Sequence, residues 1–114
     1  MTAHAAAQRA RSRRRLFDAQ GGICPWCSLP LPEDLAETAV DHIIPRCRGG
    51  PDLKWNRQLL HRLCNHGPGG KGKQLTEQAL ALAAEHGVML HEPPPPPEFR
   101  RYARSGWAGW RSSR

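Results

Sequence analysis

A chain of 114 residues holds one small domain, whose modest core commonly needs a metal or disulfide staple. Its 17 Lys and Arg against 10 Asp and Glu leave a net charge of +7, and no apolar run approaches the ~18 residues of a helical membrane span, which excludes that class. The basic excess is concentrated at the ends: residues 1–20 carry five arginines and one aspartate, residues 98–114 five arginines and one glutamate, and the stretch between is nearly neutral. Two basic arms on a neutral middle suit a polyanion, most simply nucleic acid, although solubility or a ribosome-like or membrane-surface contact would use the same charge.

In chain order, Ala5–Ala19 is rich in Ala and Arg and reads as a helix, with Leu16 and Phe17 anchoring its end and Gly21-Gly22 stopping it. No apolar core follows its arginines, so it is not read as a secretory signal; an organelle transit peptide is the weaker alternative. A cytoplasmic location is expected, where cysteines serve metals more often than disulfides. Ile23–Leu29 is a short cysteine turn, followed by an acidic loop with Pro30 and Pro32. Thr38–Ile44 has strand character, Pro45–Lys54 is a loop, and Arg57–Leu60 is a short apolar segment, strand or helix. Residues 67–73 form a glycine-rich loop. Gln74–Gly87 reads as a helix that starts near Thr76-Glu77, has Leu75, Leu80, Leu82 and Ala83 on its apolar face, and stops at Gly87. Val88–Leu90 is a brief extended piece. Pro93–Pro97 reads as a polyproline spacer, and Phe99–Arg114 as a basic tail with Tyr102, Trp107 and Trp110. The chain thus divides into a basic arm (1–20), a central domain (21–92) and a spacer with its tail (93–114).

Two spacings carry chemistry. Cys24 and Cys27 are a CxxC pair, and His61 and Cys64 an HxxC pair. Three thiolates and an imidazole suit one tetrahedral Zn²⁺ with every position filled by protein, hence a structural ion. A thioredoxin-type redox role for Cys-Pro-Trp-Cys is the competing reading, but it requires a βαβ context. Cys47 has no CxxC partner and reads as a free thiol. The second cluster is Asp41-His42, with Asn56 and Asn65 downstream. Hydrolysis of a phosphodiester needs an activated water and a cation at the phosphate. His42 suits the base, Asp41 offers a hard oxygen for Mg²⁺ or Mn²⁺, Asn56 suits holding the loop and orienting the base, and Asn65 is fixed beside a zinc ligand. Because neighbours on a strand face opposite ways, a bend near Pro45 is needed for Asp41 and His42 to share a site.

The string CxxC, Val40-Asp41-His42-Ile43-Ile44-Pro45, Arg48-Gly49-Gly50, Asn56-Arg57-Gln58-Leu59-Leu60 and HxxC-Asn resembles the zinc-stapled branch of the HNH (His-Asn-His) endonucleases over about residues 23–73. The resemblance implies an α+β fold: a ββα-metal finger with a zinc knuckle, here flanked by N- and C-terminal helices, with Arg57–His61 as second strand. It implies a metal-dependent DNA endonuclease or nickase of bacteria or phages, acting in mobility, restriction or genome packaging, alone or with a protein partner. His42 would be the general base, Asp41 and Asn65 the ligands of the catalytic ion, with His66 as rival to Asn65, and Asn56 the orienting residue. Arg46, Arg48, Arg13, Arg14, Arg15, Lys71 and Lys73 are the expected DNA contacts. Two departures stand out: His61 replaces the family's usual cysteine, and Gly67-Pro68-Gly69-Gly70 interrupts the family's basic helix, which is expected to shift Lys71 and Lys73 outward. The competing reading is a non-catalytic, zinc-stapled nucleic-acid-binding module.

Overall fold

A computed structural model describes residues 3–92; the proline spacer and the basic aromatic tail lie outside the described residues. Ala3–Ala19 forms helix α1. Its sequence is a good helix former but mostly polar, and only its last turn reaches the core, where Leu16 and Phe17 pack on Cys24, Leu31, Leu59 and Leu60. The next residue, Gln20, acts as a fragment of strand. Its Oε1 accepts from the Leu59 amide at 2.7 Å and its Nε2 donates to the Leu59 carbonyl at 3.0 Å, which satisfies an open strand edge.

The sheet has two antiparallel strands, β1 (Thr38–His42) and β2 (Arg57–His61). Thr38 pairs with His61, Asp41 with Gln58 and His42 with Arg57. β1 ends two residues earlier than the apolar run suggests, because Ile43 and Ile44 bend away onto one side chain. The buried Asn56 accepts from the Ile44 amide (2.8 Å) and donates to the carbonyls of Ile44 (3.0 Å) and Pro51 (2.9 Å), while its own carbonyl takes the Ile43 amide (2.9 Å). Gly50 closes this loop at a point where only hydrogen fits, since a Cβ there would collide with the Ile44 carbonyl oxygen.

β2 runs directly into a five-residue helix, α2 (Arg62–His66), completing the ββα order. The glycine loop then folds back under α2 and caps it. The amides of Gly67, Lys71 and Gly72 donate to the carbonyls of Leu63, Cys64 and Asn65 at 2.9, 2.7 and 2.8 Å. At Gly70 a Cβ would lie 2.8 Å from both the Leu63 and Cys64 carbonyl oxygens, so the fold-back requires glycine.

The last helix, α3 (Glu77–His86), starts on Thr76, whose hydroxyl caps the Ala79 amide at 3.1 Å, and ends at Gly87. Its buried face is Ala79 and Ala83, flanked by Leu82; Leu80, expected on that face, is 48 % exposed. The face covers Ile43 and Ile44, and His86 stacks on Trp55 with ring centroids 3.7 Å apart. Residues 88–90 form no strand, but Val88 and Leu90 pack on the same cluster, and the His91 amide donates to the Arg48 carbonyl at 2.8 Å. The whole is a small α+β fold, and among the described residues no helix is long and apolar enough to cross a membrane.

Candidate active site and zinc knuckle

The knuckle is made by two tight turns facing each other. The Cys24 amide donates to the Leu29 carbonyl (2.9 Å) and the Ser28 amide to the Cys24 carbonyl (2.8 Å), which brings Cys24 and Cys27 to one side. The junction of β2 with α2 supplies His61 and Cys64. The four donor atoms all lie within 4.8 Å of one another. Zn–S bonds of ~2.3 Å and Zn–N bonds of ~2.0 Å give donor separations of roughly 3.5–3.8 Å, so the cluster fits zinc with a slight contraction. His61 Nδ1 is 3.4 Å from Cys27 Sγ and 3.7 Å from Cys64 Sγ. Its Nε2 donates to the Pro30 carbonyl at 2.8 Å, which leaves the Nδ1 lone pair of the neutral ring available to a metal. A free redox dithiol at Cys24 and Cys27 does not fit a pair that shares its pocket with two further ligands.

Among the protein groups alone the thiols are unequal. Burial opposes the Cys24 thiolate, but hydrogen bonds from the Cys27, His61 and Trp26 backbone outweigh it and lower its pKa to about 7. Burial and then the neighbouring Cys27 and Cys24 sulfurs push Cys64 up to about 12. So crowded a set of sulfurs ionises together only around a cation.

Beside the knuckle, Asp41, His42, Arg46, Asn65, His66 and Lys73 line one cleft of about 190 Å³. The two strand neighbours do reach one site, since β1 ends and bends just after His42. Asp41 is buried in the floor. It accepts from Gln58 Nε2 at 2.9 Å and from Lys71 Nζ at 3.1 and 3.2 Å, which leaves part of its roughly four acceptor positions unfilled. The side chain of Asn65 has no partner among the described residues. Asp41 and Asn65 therefore offer hard oxygens to one cleft, a donor set that suits Mg²⁺ or Mn²⁺ completed by water or phosphate. His66 lines the same cleft from the exposed side.

His42 has a partner that spacing did not reveal. Its Nε2 is 2.8 Å from Asp52 Oδ1, and the same carboxylate oxygen accepts from Arg57 Nε at 2.9 Å. These bonds, Arg57 first and then His42, lower the Asp52 pKa to about 2. A carboxylate so firmly ionised only accepts, so Nε2 carries the proton and the lone pair of the neutral ring lies on Nδ1. Asn56, expected to orient the base, touches no atom of His42; it acts through the backbone that follows, at Ile43 and Ile44.

Two expected DNA contacts, Lys71 and Arg48, are placed differently. Lys71 does not swing outward: the fold-back of the glycine loop carries it inward, where it is 2 % exposed and bonded to Asp41 and the His42 carbonyl. Arg48 donates through Nε to the His91 carbonyl at 2.6 Å and so ties the loop to the segment after α3. Arg14 stays exposed while it pairs with Asp18 at 3.5 Å and lies over the Phe17 ring. Arg46 and Lys73 remain exposed at the cleft, and Cys47 is an exposed free cysteine on the turn between Arg46 and Arg48.

Residues 24–70 match the family model described as HNH endonuclease. The matched segment begins at the first knuckle cysteine and ends within the glycine loop, so it contains Asp41, His42, Asn56 and Asn65 and all four zinc-suited side chains. No curated protein and no solved structure gives a significant match.

Proposed function

We propose that this HNH segment makes the chain a metal-dependent DNA endonuclease or nickase. The observation that carries the reading is the single cleft holding Asp41, His42 and Asn65 with two exposed cations, Arg46 and Lys73, at its mouth. Asp52 holds the His42 ring with its lone pair on Nδ1, and that nitrogen takes a proton from water as the water oxygen attacks phosphorus. The P–O3′ bond breaks on the opposite side, the 3′-oxygen takes a proton from solvent water and leaves as a hydroxyl, the 5′-phosphate stays on the other fragment, and the His42 imidazolium returns its proton to solvent. Asp41 and Asn65 would hold Mg²⁺ or Mn²⁺, which would supply charge stabilisation at the phosphate and the leaving oxygen. Asn56 keeps the loop in register, and Lys71 with Gln58 holds the Asp41 carboxylate in place. Arg46 and Lys73, with Arg13 and Arg15 of α1, hold the phosphate backbone without reading sequence. With one active site per chain, the product is a nick, and a double-strand break takes two copies or a phage or bacterial protein partner.

A non-catalytic binding module is the second reading, and Lys71 is what favours it, because its ammonium sits on the carboxylate that a divalent cation would use. Incubating zinc-loaded protein with supercoiled plasmid in EDTA, Mg²⁺ or Mn²⁺ separates the two. Nicking in Mg²⁺ or Mn²⁺ and none in EDTA is expected. DNA binding without cleavage in any lane would leave the binding module as the better account.

A further inference from the structure

The catalytic cleft has a neighbour. A hollow of about 500 Å³ lies between α1 and the sheet, and Val40 lines both it and the cleft. Arg9 and Arg13, one helical turn apart, line its α1 side, and Arg57 and Asp52 line its sheet side. Asp52 is the only acid among the lining residues, and its carboxylate is already committed to His42 and Arg57. Arg9 has no anionic partner among the described residues, and the Nε of Arg13 is buried with no hydrogen-bond partner among them. A second hollow of about 240 Å³ continues past Ser12, Leu16 and Arg57, which line both, and adds Arg15 and Lys54. The result is one groove along α1 whose lining holds no acid besides Asp52, joined to the base through the Arg57–Asp52–His42 chain; Arg9 and Arg13 also border a further hollow that Asp34 lines.

We propose that this groove is a second DNA-backbone site, taking phosphodiester groups of the strand that flanks the scissile bond. Resting on the nuclease reading above, the proposal specifies where the substrate runs outside the cleft. The buried, unpartnered Arg13 Nε–H calls for a charge-assisted bond to an oxygen anion, the exposed Arg9 adds a second cation one turn away, and phosphate supplies such anions repeatedly along a strand. A DNA strand here also accounts for α1, which contributes little to the core beyond its last turn but holds Arg9 and Arg13 over the sheet.

The test measures affinity for a short DNA duplex across a salt series, in a zinc-loaded His42→Ala background so that no cleavage intervenes. Arg9→Gln and Arg13→Gln are compared with Arg11→Gln, an identical charge change at an exposed position of α1 that lines neither hollow. The groove predicts several-fold weaker binding and a salt slope reduced by about one for each groove variant, with Arg11→Gln close to the parent. Equal behaviour of all three would show a general charge effect and overturn the groove, even if the wild type cuts DNA. Selective loss in Arg9→Gln and Arg13→Gln supports the groove as a DNA site, even if the wild type proves unable to cut, which would sink the nuclease reading alone.

Discussion

At the scale of single residues, His42 and Asn56 divide the work. His42 touches the cleft and Asp52; Asn56 touches neither and holds the backbone between them. Asp52→Ala is expected to lower kcat about 10- to 100-fold with little change in KM, because the ring loses its orientation and not its substrate. An unchanged kcat would remove Asp52 from the mechanism. Asn56→Asp keeps the acceptor for the Ile44 amide but loses two donated bonds and sets an anion against two carbonyls. It should destabilise the zinc-loaded fold by roughly 3 kcal/mol or more in chemical denaturation, and a loss below about 1 kcal/mol would contradict this role. The sequence singles out Asp41, His42 and Asn65 by residue type and by an order that resembles a family string, and the structure brings these three side chains to one cleft. Asp52 was not legible there, since its contact with His42 depends on how the loop after Pro45 turns back, and no spacing rule encodes that turn.

At the scale of elements, the knuckle is the part the sequence announced most clearly. CxxC and HxxC are local turns, so four ligand positions follow from spacing alone, and the structure sets their donor atoms within 4.8 Å. A zinc ion binding here would displace protons, Cys64 at about 12 being fully protonated near neutral pH and Cys24 at about 7 partly so. Zinc affinity should therefore fall with pH, by roughly tenfold or more per unit below about pH 8, as read by competition with a chromophoric chelator. A pH-independent affinity would mean that the thiols are not the ligands. Cys24→Ser should lose zinc and much of the fold; a stable zinc-free variant would contradict a structural staple. The segment after the knuckle was the least legible. A glycine run reads as flexible, and so Lys71 was expected outside; its three amide-to-carbonyl bonds under α2 fold it back instead and bury that lysine. The early end of β1 was hidden for a similar reason, because the apolar Ile43 and Ile44 extend the strand pattern while Asn56 bends their backbone.

At the scale of the whole molecule, the Cys/His cluster gathers the Cys24–Cys27 turn against the end of β2 and the start of α2, α3 covers the bent loop, and α1 lies along the sheet beside the cleft. The +7 charge pointed to a polyanion, but the count alone could not sort the arginines. Arg48 is tied to a carbonyl and Arg14 shares an exposed pair with Asp18, whereas Arg9 and Arg13 line the groove and Arg46 the cleft. With one cleft per chain, open-circular plasmid should appear before linear plasmid, and linear product forming at once would point to a working dimer. In the proposed mechanism His42 performs the chemistry in this cleft. The most direct test compares wild type and His42→Ala, matched for zinc content and thermal stability, for Mg²⁺- or Mn²⁺-dependent plasmid nicking and for DNA affinity. A loss of about 100-fold or more in nicking at unchanged affinity is predicted. Cleavage by His42→Ala at the wild-type rate would contradict the account.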